Sequence, residues 1–242
     1  MDYNDLRFDS GSMRNDAVLP VAETFPALMR KVYVWMTLAL VITGLVAYGV
    51  ATSPALLMAI VMNKALFFGL IIAELTLVIG VTAAINRLSM PMATLLFAVY
   101  SAINGATLSV IFVAYTMTSI ANVFFITAGT FAAMAVLGYT TKKDLSGLGR
   151  ILIMGLIGLI IATLVNVFFM HSAGLELMLS YIGVAVFVGL TAYDTQKIKQ
   201  MLIASEGTGE TAQKVALLGA LSLYLDFINL FLYLLRLFGK KE

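Results

Sequence analysis

The 242-residue chain contains no cysteine and only one histidine, His171. The lack of cysteine excludes disulfides, thiolate metal sites and thiol nucleophiles. A single histidine removes most other metal sites and weakens a serine–histidine hydrolase as an interpretation. There is also no basic run of the kind that forms a nucleic-acid-binding arm. We therefore expect neither an enzyme nor a nucleic-acid-binding protein.

Charged residues are equally scarce. They make up 12% of the chain, whereas 61% is hydrophobic. Soluble domains usually carry about 25% charged residues. A soluble protein with so few charges could not cover its surface, so lipid must be the solvent for most of this chain. The composition predicts an all-α integral membrane protein.

The polar residues separate a series of apolar runs. Residues 1–31 are mostly polar and lack the early apolar region of a secretory signal, so we expect a flexible cytoplasmic segment. Residues 32–242 predict a domain of seven transmembrane helices, because about 20 apolar residues are enough for one span. The predicted spans are 32–52, 65–85, 92–115, 120–139, 150–170, 177–194 and 215–238.

The basic residues of the connecting loops predict the orientation, because cytoplasmic loops collect lysine and arginine. With a cytoplasmic N-terminus, Lys64 is the one basic residue of the outer loops. Seven full spans place Lys240 and Lys241 outside, against this rule. We nevertheless favour a crossing over a re-entrant last segment, since 215–238 is long enough to span. The inner loops then carry Arg30, Lys31, Arg87, Lys142, Lys143, Arg150, Lys197, Lys199 and Lys214.

Three carboxylates fall within predicted spans: Glu74, Asp194 and Asp226. A charged side chain in hydrocarbon costs about 3 kcal/mol or more, so each needs a partner or water. Each is either a functional group or a structural bond to a neighbouring helix. Asp226 belongs to a stripe at helical spacing that should face the bundle interior. The other members of this polar stripe are Ser222, Asn229 and Tyr233.

Asp194 ends the sixth predicted span, at the membrane face where Arg87 ends the second. An aspartate in a last helical turn opposes the helix dipole, which indicates a specific role. Arg87 is either a topology-setting charge or a counter-ion for Asp194. Two nearby aspartates titrate as a pair, and carboxylate oxygens suit calcium. A pair on facing helices would therefore form a proton-sensitive cation path that binds calcium transiently.

Three stretches around these residues resemble the Bax inhibitor-one family, also called the transmembrane Bax inhibitor motif family, and in particular its bacterial membrane branch. The similarity covers nearly the whole chain after the polar N-terminal segment. Its most specific parts are GYTTKKDLS at 138–146, VGLTAYDTQ at 188–196 and LSLYLDFINLF at 221–231.

The resemblance implies a seven-helix bundle with the last helix central, and a pH-sensitive calcium leak. In the family, an aspartate ending helix six and another in helix seven form a hydrogen-bonded pH sensor, and Asp194 and Asp226 match them. An arginine at the end of helix two bonds to this pair and holds the pore closed, which implies that role for Arg87. Glu74 matches an acidic position on helix two. Calcium and protons are the ions concerned, without a bound cofactor.

The resemblance also implies a location and partners. We expect the bacterial inner membrane, with the lipid bilayer and calcium ions as partners. Family members are linked to cell-death suppression and to membrane protein quality control, so a membrane protease or other membrane proteins are further expected partners.

Other functions stay open at this point. A non-conducting scaffold that regulates membrane proteins fits the many small residues of the spans, which permit close helix packing. A proton-coupled transporter would show saturable exchange instead of a passive leak. An intramembrane aspartyl protease also uses two aspartates, but it requires Gly-x-Gly before the second one. Here Leu223-Tyr224-Leu225 precedes Asp226, and the only Pro-Ala-Leu lies far upstream at Pro54.

Overall fold

The computed structural model describes residues 21–205 and 209–241, and their secondary structure is helical apart from one isolated bridge between Tyr115 and Lys241. Seven helical segments of this part are long and apolar enough to cross a bilayer, which confirms the all-α membrane bundle. A π-helical turn, Asn166–Met170, continues the seventh helix. The helices are α1 (Val21–Ala51), α2 (Pro54–Met62), α3 (Lys64–Ala84), α4 (Met90–Leu108), α5 (Ile111–Ala114), α6 (Met117–Thr140), α7 (Ser146–Val165), α8 (Ala173–Ala204) and α9 (Glu210–Phe238).

Short polar residues and prolines set several helix starts. The side chains of Asn63, Thr116 and Ser172 accept hydrogen bonds of 3.1 to 3.4 Å from backbone N–H groups in the first turns of α3, α6 and α8. Such caps satisfy donors that have no partner within the helix. Pro54 and Pro91 lie in the first turns of α2 and α4, where the missing N–H is tolerated.

The first helix and the connection after it differ from the predicted boundaries. Residues 21–31, expected in a flexible segment, belong to α1, while residues 1–20 lie outside the described part. A further helix, α2, occupies the connection between the first two predicted spans. Proline at the start of a helix is compatible with helical backbone, and the apolar residues after it continue the helix.

The sixth span extends well past its predicted end. The chain was expected to leave the helix at Asp194, but α8 continues to Ala204. Ile198 and Leu202 explain the extension, because they are one helical turn apart and both are buried. Asp194 therefore lies within the helix, and the argument from the dipole of a last turn does not apply to it.

The extension of α8 holds the loop between α6 and α7. The Gln196 side chain donates to the backbone oxygen of Lys143 and accepts from the backbone N–H of Leu145, both at 2.8 Å. The Lys199 ammonium donates to the backbone oxygen of Tyr139 at 2.9 Å. Two of the stretches that carry the family resemblance, 138–146 and 188–196, are thus in direct contact.

The last helix, α9, has the largest buried share of the seven spans. It packs most extensively against α8 and also contacts α1, α6 and α4. By contrast, α3 packs mainly against α4 and is largely exposed to the surroundings of the bundle. That α9 is the central helix of the bundle stays a prediction. Its largest fully buried side chains are Leu217, Leu223, Tyr224, Leu230 and Leu235.

The two ends of the bundle can be told apart by the residues that meet there. Arg30 of α1, Met90 of α4 and Gln213 of α9 line one cavity, so these helices begin at the same end, which we call the proximal end. The backbone N–H of Thr116 donates to the oxygen of Lys240 at 3.2 Å. The residues after α9 therefore lie beside the start of α6 at the distal end, and α9 runs the length of the bundle.

Candidate functional site

Helices α8 and α9 bring Asp194 and Asp226 together. Their carboxyl groups are close enough to interact electrostatically, and both line one cavity. Ser222, one turn before Asp226, donates a hydrogen bond of 2.7 Å to Oδ2 of Asp194. Asp226 is only 5% exposed, and its Oδ2 atom has no hydrogen-bond partner among the described residues. The arrangement is a buried carboxyl pair that one proton can bridge.

The pair lines a cavity of about 910 Å³ between α3, α4, α7, α8 and α9, which we call the central cavity. Apolar side chains form much of its wall, with carboxyl, hydroxyl and amide groups among them. The six carboxylate and polar-stripe residues predicted from the sequence all line this one cavity: Glu74, Asp194, Ser222, Asp226, Asn229 and Tyr233. The four members of the polar stripe on α9 thus share this cavity with Glu74 and Asp194.

Glu74 reaches the cavity from α3 and is held by two residues of α4. Its Oε1 atom accepts a hydrogen bond from the hydroxyl of Thr107, and its Oε2 atom accepts one of 3.2 Å from the amide of Asn104. Both donors are buried. The contacts fix the carboxylate on the wall that faces α9 across the cavity.

A hydrogen-bonded chain continues from Asn104 to two further helices. The Tyr224 hydroxyl of α9 donates to Oδ1 of Asn104 at 3.1 Å and lies 2.7 Å from the hydroxyl of Thr43 in α1. Thr43 in turn donates to the backbone oxygen of Ser101 at 2.9 Å. Four helices, α1, α3, α4 and α9, are thus joined by buried polar contacts. These hydrogen-bonded contacts were not predicted from the sequence, because isolated polar residues in apolar runs show no periodic pattern.

A basic residue stands near each end of the cavity. Lys197, one turn after Asp194, is a positively charged neighbour of that carboxylate and also lines a cavity of about 210 Å³ on the proximal side. Arg236 also lines a polar cavity of about 390 Å³ on the distal side, with its guanidinium 5.4 Å from the Tyr233 ring centre. Along α9 the three cavities follow one another from the proximal to the distal end.

The predicted counter-ion Arg87 lies in the turn after α3 and is exposed. In the part of the chain that the structure describes, no ion pair within 4.0 Å joins it to Asp194. Its closing role stays a prediction. The cation beside Asp194 is instead Lys197, which lies in α8 and not in the predicted loop. Lys197 follows Asp194 by three residues, so a predicted sixth helix that continued past Asp194 would have placed both side chains on one face.

The model of the family described as "Inhibitor of apoptosis-promoting Bax1" matches residues 26–242. The chain belongs to this family. The resemblance inferred from the three sequence stretches is therefore confirmed. Membership by itself assigns no ion and no path to the chain, so its function has to be argued from the cavity.

Several bacterial relatives are similar over most of their length. The inner membrane protein YbhL of Escherichia coli is 50% identical over 231 residues, which cover 95% of this chain and 98% of YbhL. An uncharacterized protein of Borreliella burgdorferi is 46% identical over 214 residues, or 88% of this chain and 92% of the relative. An uncharacterized protein of Rickettsia prowazekii is 43% identical over 216 residues, or 88% and 89%.

Proposed function

We propose that this family member is a pH-sensitive calcium leak of the bacterial inner membrane, controlled by Asp194 and Asp226. The observation that carries the proposal is the closeness of the two carboxyl groups in the central cavity, with one oxygen of Asp226 unpartnered among the described residues. An intramembrane carboxylate without a permanent counter-ion is costly unless protons or cations visit it.

The chemistry of the cavity suits a cation that passes and does not stay. Calcium takes six to eight oxygen ligands, and Glu74, Asp194, Asp226 and Ser222 offer oxygens along the wall. The described residues contain no group of three or more histidine, cysteine, aspartate or glutamate side chains that could hold a metal ion. Conduction requires weak binding at successive sites, and Glu74 supplies a carboxylate on the same cavity wall apart from the Asp194–Asp226 pair.

A shared proton supplies the dependence on pH. At low pH one proton bridges Asp194 and Asp226 and holds α8 against α9. At higher pH the pair ionises and attracts a cation, which is calcium, the neighbouring Lys197 or the exposed Arg87. Attraction of any of these cations changes the packing around α9. A local change of charge thereby alters the proposed calcium path.

The proposed location and partners follow from the relatives and the loops. YbhL is an inner membrane protein by name, and the basic residues of the loops favour a cytoplasmic N-terminus. Calcium, protons and the lipid bilayer are the proposed partners. A membrane protease or other membrane proteins would be partners of a regulatory role.

Calcium flux through purified protein in liposomes tests the proposal. Flux would be measured from about pH 6 to about pH 8 for the wild type, Asp194→Asn and Asp226→Asn. We expect the pH dependence of the wild type to disappear in both variants. No flux in the wild type at any pH would contradict the leak and favour the scaffold. Saturable exchange of calcium for protons would favour a transporter.

Asp144 provides a matched control for the loss of one aspartate. It lies in the loop before α7, where hydrogen bonds from Ser146 hold the pKa of the Asp144 carboxyl below its usual value. This group stays ionised throughout the tested range, because even an unperturbed aspartate has a pKa of about 3.9. Asp144→Asn should therefore keep the pH dependence of the wild type.

A further inference from the structure

A groove of about 760 Å³ lies on the outside of the bundle between α1 and α4. Lys31, Val34, Trp35 and Leu38 of α1 form one wall at the spacing of a single helix face. The other wall comes from the first two turns of α4, including Leu95. Val34, Leu38 and Leu95 are each about half exposed, at 50%, 48% and 56%. The body of the groove is therefore apolar and open to the bilayer.

Two positive charges stand at one end of this groove. Arg30 and Lys31 line it and are both exposed, whereas no acidic residue lines it. Among the described side chains, those of residues 25–205 and 209–241, the single ion pair joins Lys214 to Glu210, so no carboxylate of these ranges pairs with either cation. The groove thus combines an apolar body with a mouth that carries two positive charges.

The position of the mouth matches the level of lipid headgroups. The groove includes Met90 and Pro91 at the start of α4 and Gln213 near the start of α9, so it opens at the proximal end. Trp35 lies one turn beyond Lys31, and tryptophan favours the interface between membrane and water. From Lys31 to Leu38 the helix rises about 10 Å, which gives room for the upper part of an acyl chain.

We propose that this groove binds an anionic phospholipid. The headgroup phosphate lies against Arg30 and Lys31, and an acyl chain runs along Val34, Leu38 and Leu95. Basic pockets beside transmembrane helices attract anionic headgroups, and the apolar wall supplies contacts for the chain. The groove shares no lining residue with the central cavity. The lipid site is therefore independent of the proposed calcium path.

Trp35 makes a direct test feasible, because it is the only tryptophan of the chain. Its fluorescence would be measured in vesicles that contain brominated phosphatidylglycerol in phosphatidylcholine, and in vesicles with the bromine on phosphatidylcholine alone. Bromine quenches tryptophan only on contact, so the quenching reports the lipid in the groove. We expect phosphatidylglycerol to be preferred by a factor on the order of ten, because two basic residues attract its charge.

A double substitution shows whether the two cations cause this preference. Arg30→Gln with Lys31→Gln should bring the relative affinity for phosphatidylglycerol close to one. Lys142→Gln with Lys143→Gln removes the same charge from the exposed loop after α6, which lies at the same end because the Tyr139 ring stacks 6.0 Å from that of Phe25. This control should keep the preference of the wild type.

Two results would overturn the proposal. Equal quenching by the two lipids in the wild type would mean that the groove does not select an anionic headgroup. Equal loss of preference in both double variants would mean that surface charge in general, and not this site, attracts the lipid. If the variant at Arg30 and Lys31 does not fold, competition by unbrominated phosphatidylglycerol in the wild type still decides, since it must relieve the quenching more than phosphatidylcholine does.

Discussion

Replacing Gly138 with alanine would place a methyl group against the backbone of Ala192, where α6 passes α8. The atoms in the way belong to the backbone, so no side chain can turn aside to make room. Such overpacking costs about 1–3 kcal/mol, and the better helix propensity of alanine returns at most about 1 kcal/mol. We expect Gly138→Ala to destabilise the protein by about 1–2 kcal/mol.

Gly129 is a matched control in the same helix. A Cβ atom at Gly129 has no heavy atom within 4 Å, so Gly129→Ala should be neutral or slightly stabilising. For a chain of this length, 1 kcal/mol corresponds to about 2–4 °C in Tm. Thermal unfolding of the purified protein should thus give Gly138→Ala a Tm about 2–8 °C below that of the wild type. Equal Tm values for the two variants would refute the close contact between α6 and α8.

The same pair of variants connects packing to the site. Ala192 lies two residues before Asp194 on α8, so a shift of α8 away from α6 also moves that carboxylate. We expect Gly138→Ala to weaken the pH dependence of calcium flux and Gly129→Ala to leave it unchanged. An unaltered pH dependence in a Gly138→Ala protein of lower Tm would show that the pair tolerates movement of α8.

Three further substitutions test other parts of the cavity. Tyr224→Phe removes a buried hydroxyl that bonds to α1 and α4, and should cost about 1–3 kcal/mol, measured as a fall in Tm that the exposed Tyr181→Phe does not show. Glu74→Gln removes one of the proposed cation ligands, so we expect lower calcium flux with its pH dependence kept. Arg236→Gln removes a positive charge at the distal end of the path, so calcium flux should rise, unlike in Lys240→Gln; an unchanged flux would remove Arg236 from the path.

The periodicity of the apolar runs was sufficient to predict the seven helices that are long and apolar enough to cross a membrane. It was not sufficient for the extent of α8. Residues after Asp194 look like a polar connection by composition, yet Ile198 and Leu202 lie on one face and are buried. A helix that leaves the membrane while still packed against its neighbours becomes amphipathic, and a search for long apolar runs does not detect it.

Contacts between helices were harder to predict than the helices themselves. The pairing of Asp194 with Asp226 was implied by the family resemblance. The spacing of polar residues shows which face of a helix they share, but it does not show which other helix packs against that face. The bond from Glu74 to Asn104 and the position of Tyr224 depend on the relative rotation and height of α3, α4 and α9. No pattern within one helix contains that information.

In the proposed mechanism, Asp194 and Asp226 act as one unit through a shared proton. Calcium flux at one pH in liposomes should be compared for the two single Asn variants and the double variant. If the pair is one unit, the flux of the double variant differs from that of the wild type no more than the flux of the more affected single variant does. The reason is that either substitution alone removes the shared proton. Asp194→Asn with Asp144→Asn serves as the control. Fold-changes that multiply in the Asp194 and Asp226 double variant would contradict the account, since the two carboxylates would then act independently.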